Sequence, residues 1–162
     1  MSGTLVTAAA ATSAVCAGVA GGVYFAFSAI VTPALRALPA DQAVEAMQRI
    51  NTSALRLPFM AVFFGGAAAS AAVVVAELAS DGASPGAANR MAGAALALAA
   101  FGITIVRNVP LNNELARIAP DAGDAAARWS AFDRGWSRAN HVRAAASIAA
   151  TVVLLDSLAR FE

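Results

Sequence analysis

LPFMAVFFGGAAASAAVVVA, residues 57–76, runs for 20 residues between Arg56 and Glu77 without one charged side chain. A helix that crosses a bilayer needs about 17–25 mostly apolar residues, so this stretch is long enough by itself. Three further intervals follow the same rule with different ease. Met1 to Leu35 carries no charged side chain, Met91 to Val106 gives 16 residues and Ala144 to Leu155 gives 12. The third reaches spanning length once Ala87 and Ala88 join it and the Arg90 stem snorkels to the interface. The fourth does so only by starting near Asn140, which brings His141 and Arg143 into or beside the membrane. That cost asks for a functional reason.

Composition agrees. Of 162 residues, 59% are apolar and 13% charged, against about 45–50% and about 25% in soluble domains. Mean hydropathy is +0.67. There are 46 alanines and 11 arginines but no lysine. A soluble chain of this make-up would expose apolar patches that monomers do not tolerate, which excludes an ordinary cytosolic enzyme. A net charge of +1 argues against nucleic acid, whose phosphates demand a basic surplus. The single cysteine, Cys16, excludes an internal disulfide and multi-thiolate metal sites. Within an apolar run it reads as a packing residue.

The expected fold is therefore all-α: an integral membrane four-helix bundle, one transmembrane domain over residues 1–162. Its spans lie at about 4–31, 57–78, 88–107 and 140–158, with short interfacial helices in the first and third loops. A cleaved signal peptide is the rival reading of the first run, but no positive segment precedes it and the run is too long. Gly21-Gly22 and Gly65-Gly66 sit mid-span, where small residues let helices approach, and such faces suit a homo-oligomer. Nine arginines fall in the first and third loops or at their edges, against Arg90 and Arg160 on the other side. By the positive-inside rule, both long loops lie in the cytoplasm and both termini outside a plasma membrane, bacterial inner membrane being the expectation.

The two halves share a plan: a span, then Pro33 or Pro110, an amphipathic stretch, and a second span. Proline removes a donor and fixes φ, so each is expected to end its span. The match is low in identity, and helical hairpins share this grammar in general. What matters more is that both loops then gather at one membrane face.

Polar residues collect at that face. As one helix over 126–147, Trp129, Phe132, Trp136, Asn140, Arg143 and Ser147 form a stripe at spacings of 3, 4, 4, 3 and 4. Two uses compete for them: a tryptophan belt with a snorkelling arginine, or the wall of a polar pocket. His141, the only histidine, serves equally as a hydrogen-bonded interfacial residue, a general base, or an axial haem ligand. One histidine without an acidic cluster makes a bare zinc or di-iron site a poor fit. In Asn108-Val-Pro-Leu-Asn112, the asparagines are expected either to satisfy backbone groups freed by Pro110 or to line the pocket. Asn51 has the same two readings. Tyr24, Phe25 and Phe27 suit either core packing or an aromatic wall.

Tyr24-Phe-Ala-Phe-Ser28, Pro33-Ala-Leu-Arg36, Met47-Gln-Arg-Ile-Asn51, Asn108-Val-Pro-Leu-Asn112, Trp129 and Trp136-Ser-Arg-Ala-Asn-His-Val-Arg143 resemble the anthrone oxygenase–like family of small membrane proteins. The resemblance runs from about Gly18 to Leu158. It implies oxidation of a hydrophobic aromatic or quinone-like substrate with dioxygen, as fungal members oxidise anthrones to anthraquinones. Under it, His141, Asn108, Asn112 and Arg143 are the expected catalytic residues. Haem b, with His141 as iron ligand and Asn51, Arg36, Tyr24, Trp136 and Asn140 as pocket or propionate partners, is the cofactor it suggests. The expected partners are the lipid bilayer, a hydrophobic small molecule and dioxygen. The alternative is a non-catalytic haem- or lipid-binding module or sensor subunit, and a second acid or base near His141 would separate the two. Asp133 lies eight residues away and off the stripe. A transporter fits worse, because no span carries a central acid.

Overall fold

Proline inside a helix removes one backbone donor and crowds the carbonyl four residues back. At Pro33 and Pro110 the chain absorbs this without stopping. The computed structural model describes residues 3–80 and 85–159. In it α1 (Gly3–Ala26) widens into a π-turn at Phe27–Val31 and continues as α2 (Thr32–Arg36). After the loop-side helix α3 (Ala40–Ala54) comes α4 (Leu57–Leu78). Then α5 (Ala87–Ile103) widens at Thr104–Asn108 and continues as α6 (Val109–Leu115), and α7 runs unbroken from Ala125 to Ala159. In the π-turns the Thr32 N–H reaches back to Phe27 O and the Val109 N–H to Thr104 O. Each proline lies six residues after its π-turn begins, so the two halves match in geometry more closely than in sequence. The expectation that proline ends each span is thus corrected, because the extra residue per turn makes room for the ring.

Four helical segments are long and apolar enough to cross a membrane: Gly3–Arg36, Leu57–Leu78, Ala87–Leu115 and Ala125–Ala159. The long helices pack in a cycle, α1 against α4 and α7, and α5 against α4 and α7. Small residues set the contacts. Gly21 faces Ser147, Gly66 faces Cys16 and Gly93 faces Leu154, while Gly22 and Gly65 have open space around them. Across α1 and α4, Ser13 and Ser70 hydroxyls meet at 2.7 Å, fully buried. At Gly93 a methyl group would sit 2.6 Å from Leu154 Cγ and 3.2 Å from its backbone nitrogen. Gly93→Ala is therefore expected to cost about 1–3 kcal/mol through overpacking, read as a lowered Tm in detergent. Gly22→Ala is the control, and equal Tm values for the two would disprove the contact's importance.

The loop-side core joins α2, α3, α6 and the first turns of α7: Leu35, Val44, Met47, Leu115, Trp129, Phe132 and Trp136 are buried together. Gln48 on α3 donates to Leu115 O and Ile118 O, both at 2.9 Å. It thereby ties α3 to the chain that follows α6, where Leu115 O also accepts from the Ile118 N–H at 3.0 Å. The interfacial helix expected in the third loop is not separate, since residues 125–139 form the first four turns of α7. At the opposite end Arg90 does not snorkel. It is 1% exposed and donates to Glu77 and, at 2.9 Å, to Pro85 O. Arg160 lies outside the described residues.

Candidate functional site

Arg143 is the centre of the polar cluster. It projects from the buried stripe of α7, and only 6% of it is exposed, so the snorkelling expectation is corrected. Its Nε and Nη2 donate to Asn140 Oδ1 at 3.1 and 2.9 Å, and its Nη1 donates to Thr104 Oγ1 at 3.2 Å. The guanidinium carbon lies 4.0 Å from the Tyr24 ring centre and 5.1 Å from that of Trp136. Among the described residues no carboxylate lies within salt-bridge distance of it. A buried cation is costly without a counter-charge. Here it is held by neutral oxygens and two π faces.

This network also orients the Asn140 amide. Asn140 is fully buried, and its Oδ1 must face the arginine donors, so its Nδ2 donates to Tyr24 O at 2.8 Å and to Ser28 Oγ at 2.9 Å. Ser28 Oγ therefore accepts from Asn140 and shares a second hydrogen bond with His141 Nδ1, 2.7 Å away. The ring itself is exposed. Ser28 lies in the first π-turn and Thr104 opens the second, so both irregular turns supply a hydroxyl to the cluster. Neither residue stands out in the sequence. The signal was spacing: Ser28 follows Tyr24 by four residues and Thr104 precedes Asn108 by four.

The two asparagines around Pro110 bond across to α7 and not to their own backbone break. Asn108 Nδ2 donates to Trp136 O at 3.3 Å, and Asn112 Oδ1 accepts from Trp136 Nε1 at 2.8 Å. Trp136 is thereby clamped at both polar ends, with Phe27 5.2 Å from its ring. Both tryptophans are buried, Trp129 at 8% and Trp136 at 4%, so neither is a belt residue. Asn108 Oδ1 is sealed from water without a partner.

Asn51 and Arg36 lie apart from the cluster. Asn51 Nδ2 is buried and unpartnered beside a cavity of about 360 Å³ that it shares with Asn112. Arg36 forms a two-pronged pair with Asp133, Nε to Oδ2 at 2.7 Å and Nη2 to Oδ1 at 3.2 Å, with Ser137 adding contacts to both. Its charge is already matched, and Asp133 is engaged there instead of serving His141. Among the described residues no group of three His, Cys, Asp or Glu side chains is placed to hold a metal ion.

The sequence profile described as anthrone oxygenase matches residues 59–153. The chain belongs to the anthrone oxygenase family. The matched region begins in α4 and contains Thr104, the Asn108–Asn112 segment, Trp136, Asn140, His141 and Arg143. Tyr24, Ser28, Arg36 and Asn51 lie before it. No curated protein and no solved structure matches the chain. For this anthrone oxygenase–family protein, membership points to an oxygenase-like role, and the Arg143 cluster is where its polar chemistry is concentrated.

Proposed function

We propose that this protein is a membrane-embedded oxidoreductase that uses dioxygen on a hydrophobic aromatic or quinone-like substrate, with Arg143 as counter-charge to a transient anion. The observation that carries this reading is the buried guanidinium whose partners are all neutral. A guanidinium has five N–H hydrogens, and three of Arg143's are used by Asn140 and Thr104. Two remain for an oxyanion, in surroundings where such a charge interaction is little screened.

For an anthrone the chemistry balances simply. Loss of a methylene proton places charge on the carbonyl oxygen, which Arg143 stabilises. Dioxygen then takes up the electrons; one oxygen atom stays on carbon as the new carbonyl, and the other leaves in water with the two hydrogens of the methylene. Ser28 and His141, whose Oγ and Nδ1 lie 2.7 Å apart, supply the proton acceptor. Asn140 ties this pair to the arginine, and Asn108 and Asn112 act by fixing Trp136.

The surroundings of His141 suit haem poorly. Its ring is exposed, its Nδ1 is engaged by Ser28, and Arg36 is already matched by Asp133. An absorption spectrum of the protein in mild detergent is expected to show no Soret band before or after dithionite. A band that shifts on reduction and vanishes in His141→Ala would reinstate haem at this residue.

The cytoplasmic placement of both loops is supported by eight arginines there, once the buried Arg143 is set aside, against Arg90 and Arg160 on the other side. The outward-facing Gly22 and Gly65 support a homo-oligomer in the bilayer. Oxygen uptake on adding an anthrone tests the central reading; no uptake above the protein-free rate would leave the binding-module alternative.

A further inference from the structure

Arg56 stands where the chain enters α4, between Leu55 and Leu57, which are 72% and 80% exposed. Exposed leucines on both sides of an exposed arginine mark the depth where hydrocarbon meets lipid headgroups. The charge there is unmatched, since Arg56 has no ion pair and no side-chain hydrogen bond among the described residues. The positive end of the α4 dipole lies at the same place.

Leu55 also walls a cavity of about 360 Å³ between α3 and α6, with Gln48, Asn51 and Thr52 on its own side and Asn112 and Asn113 opposite. No lining residue carries a charge, so an ammonium or a carboxylate inside would lack a counter-ion. The polar groups are of both kinds. Trp136 Nε1 donates to Asn112 Oδ1, which leaves the Asn112 NH₂ group as a donor. Gln48 spends its NH₂ group on Leu115 O and Ile118 O, leaving its Oε1 as an acceptor. Thr52 donates to Gln48 O and keeps its lone pairs. The Asn51 side chain makes no hydrogen bond among the described residues, and its Nδ2 is sealed from water. An unmet buried donor costs about 1–3 kcal/mol, and a turn of the amide brings it to a guest oxygen. Donors and acceptors mixed without charge match hydroxyl groups, which do both.

We infer that Arg56 and this cavity together hold one phospholipid with an uncharged diol headgroup, which is the chemistry of phosphatidylglycerol. Arg56 takes the phosphate, while Asn51, Asn112 and Gln48 take the two hydroxyls. The acyl chains follow Leu57 and Val109, exposed apolar residues on the bilayer side of the cavity. An ethanolamine headgroup would instead bring its ammonium to a wall without a carboxylate. The seated lipid also bears on the buried arginine, because Asn112 holds the Trp136 indole, whose ring lies 5.1 Å from that guanidinium. The inference stands apart from the oxygenase reading, and binding is measured without turnover.

The test is native mass spectrometry of the delipidated whole protein released from detergent. Four oleoyl lipids are compared: phosphatidylglycerol, phosphatidylethanolamine, phosphatidylmethanol (the same charge without the diol) and monoolein (the diol without the phosphate). One bound phosphatidylglycerol is expected, about tenfold tighter than any of the others, the worth of one hydrogen bond to a charged group. Arg56→Gln is expected to lose that tenfold, while Arg107→Gln, also exposed but not part of the cavity wall, binds as the parent does. Asn51→Leu is expected to bind phosphatidylglycerol only as tightly as phosphatidylmethanol, with circular dichroism unchanged. Equal binding of phosphatidylglycerol and either other phospholipid by the parent would overturn the assignment. So would an equal loss in Arg56→Gln and Arg107→Gln, which would mark general interfacial charge. Displacement by equimolar free glycerol phosphate would overturn it as well, by making the ligand a soluble phosphate. Should Asn51→Leu fail to fold, Asn51→Ala is expected to show the same loss of preference.

Discussion

Arg143→Gln is expected to lower anthrone-dependent oxygen uptake about 100–1,000-fold, the usual effect of deleting one oxyanion donor, while the Tm in detergent stays within about 1 kcal/mol of the parent's stability. The two halves of that result come from one arrangement. Glutamine still offers an N–H to the fully buried Asn140 Oδ1, and it removes a cation that no carboxylate neutralises among the described residues. Stability therefore loses a hydrogen bond but sheds a desolvated charge, and the two offset. Chemistry has no such offset, because the anion loses its counter-charge. Arg143→Lys keeps the charge but not the planar fork that reaches Asn140 and Thr104 together, so an intermediate rate is expected. A glutamine variant that turns over normally would refute the role. One that unfolds would make Arg143 structural instead.

Glu77→Ala is expected to be the most destabilising single change at the other end of the molecule, at about 3–5 kcal/mol. Glu77 and Arg90 face each other with 6% and 1% of their side chains exposed. Removing the acid takes away the carboxylate to which the Arg90 Nε donates, at a place where the guanidinium is almost wholly desolvated. Replacing both partners, Glu77→Leu with Arg90→Leu, is expected to recover part of the loss, since the desolvated guanidinium is removed together with its acid. Thermal unfolding of the three variants measures this directly. Uptake per folded molecule should be unchanged, because the pair lies far along the bundle from Arg143. Equal Tm for Glu77→Ala and the double variant would contradict the argument.

Four membrane-length helices, the buried stripe of the last one and the gathering of polar residues at one face were all legible without coordinates. The reason is that bilayer thickness and helical periodicity act on every residue in order, so charge-free run lengths and spacings of three and four carry them. Trp129, Phe132, Trp136, Asn140, Arg143 and Ser147 are buried together as that periodicity requires. What the sequence left open was which of several polar residues meet. Arg143 reads equally as a snorkelling residue or a site residue until Thr104 arrives from α5 and Tyr24 from α1. Arg36 reads as a ligand for an anion until Asp133, 97 positions along, takes both of its prongs. The prolines looked like helix ends, because the cost of a missing donor is local, whereas the π-turns that absorb it let Ser28 and Thr104 reach α7. Run length and period belong to one segment. Partner choice for a buried polar group belongs to the packing of several helices, and that only the tertiary structure decided.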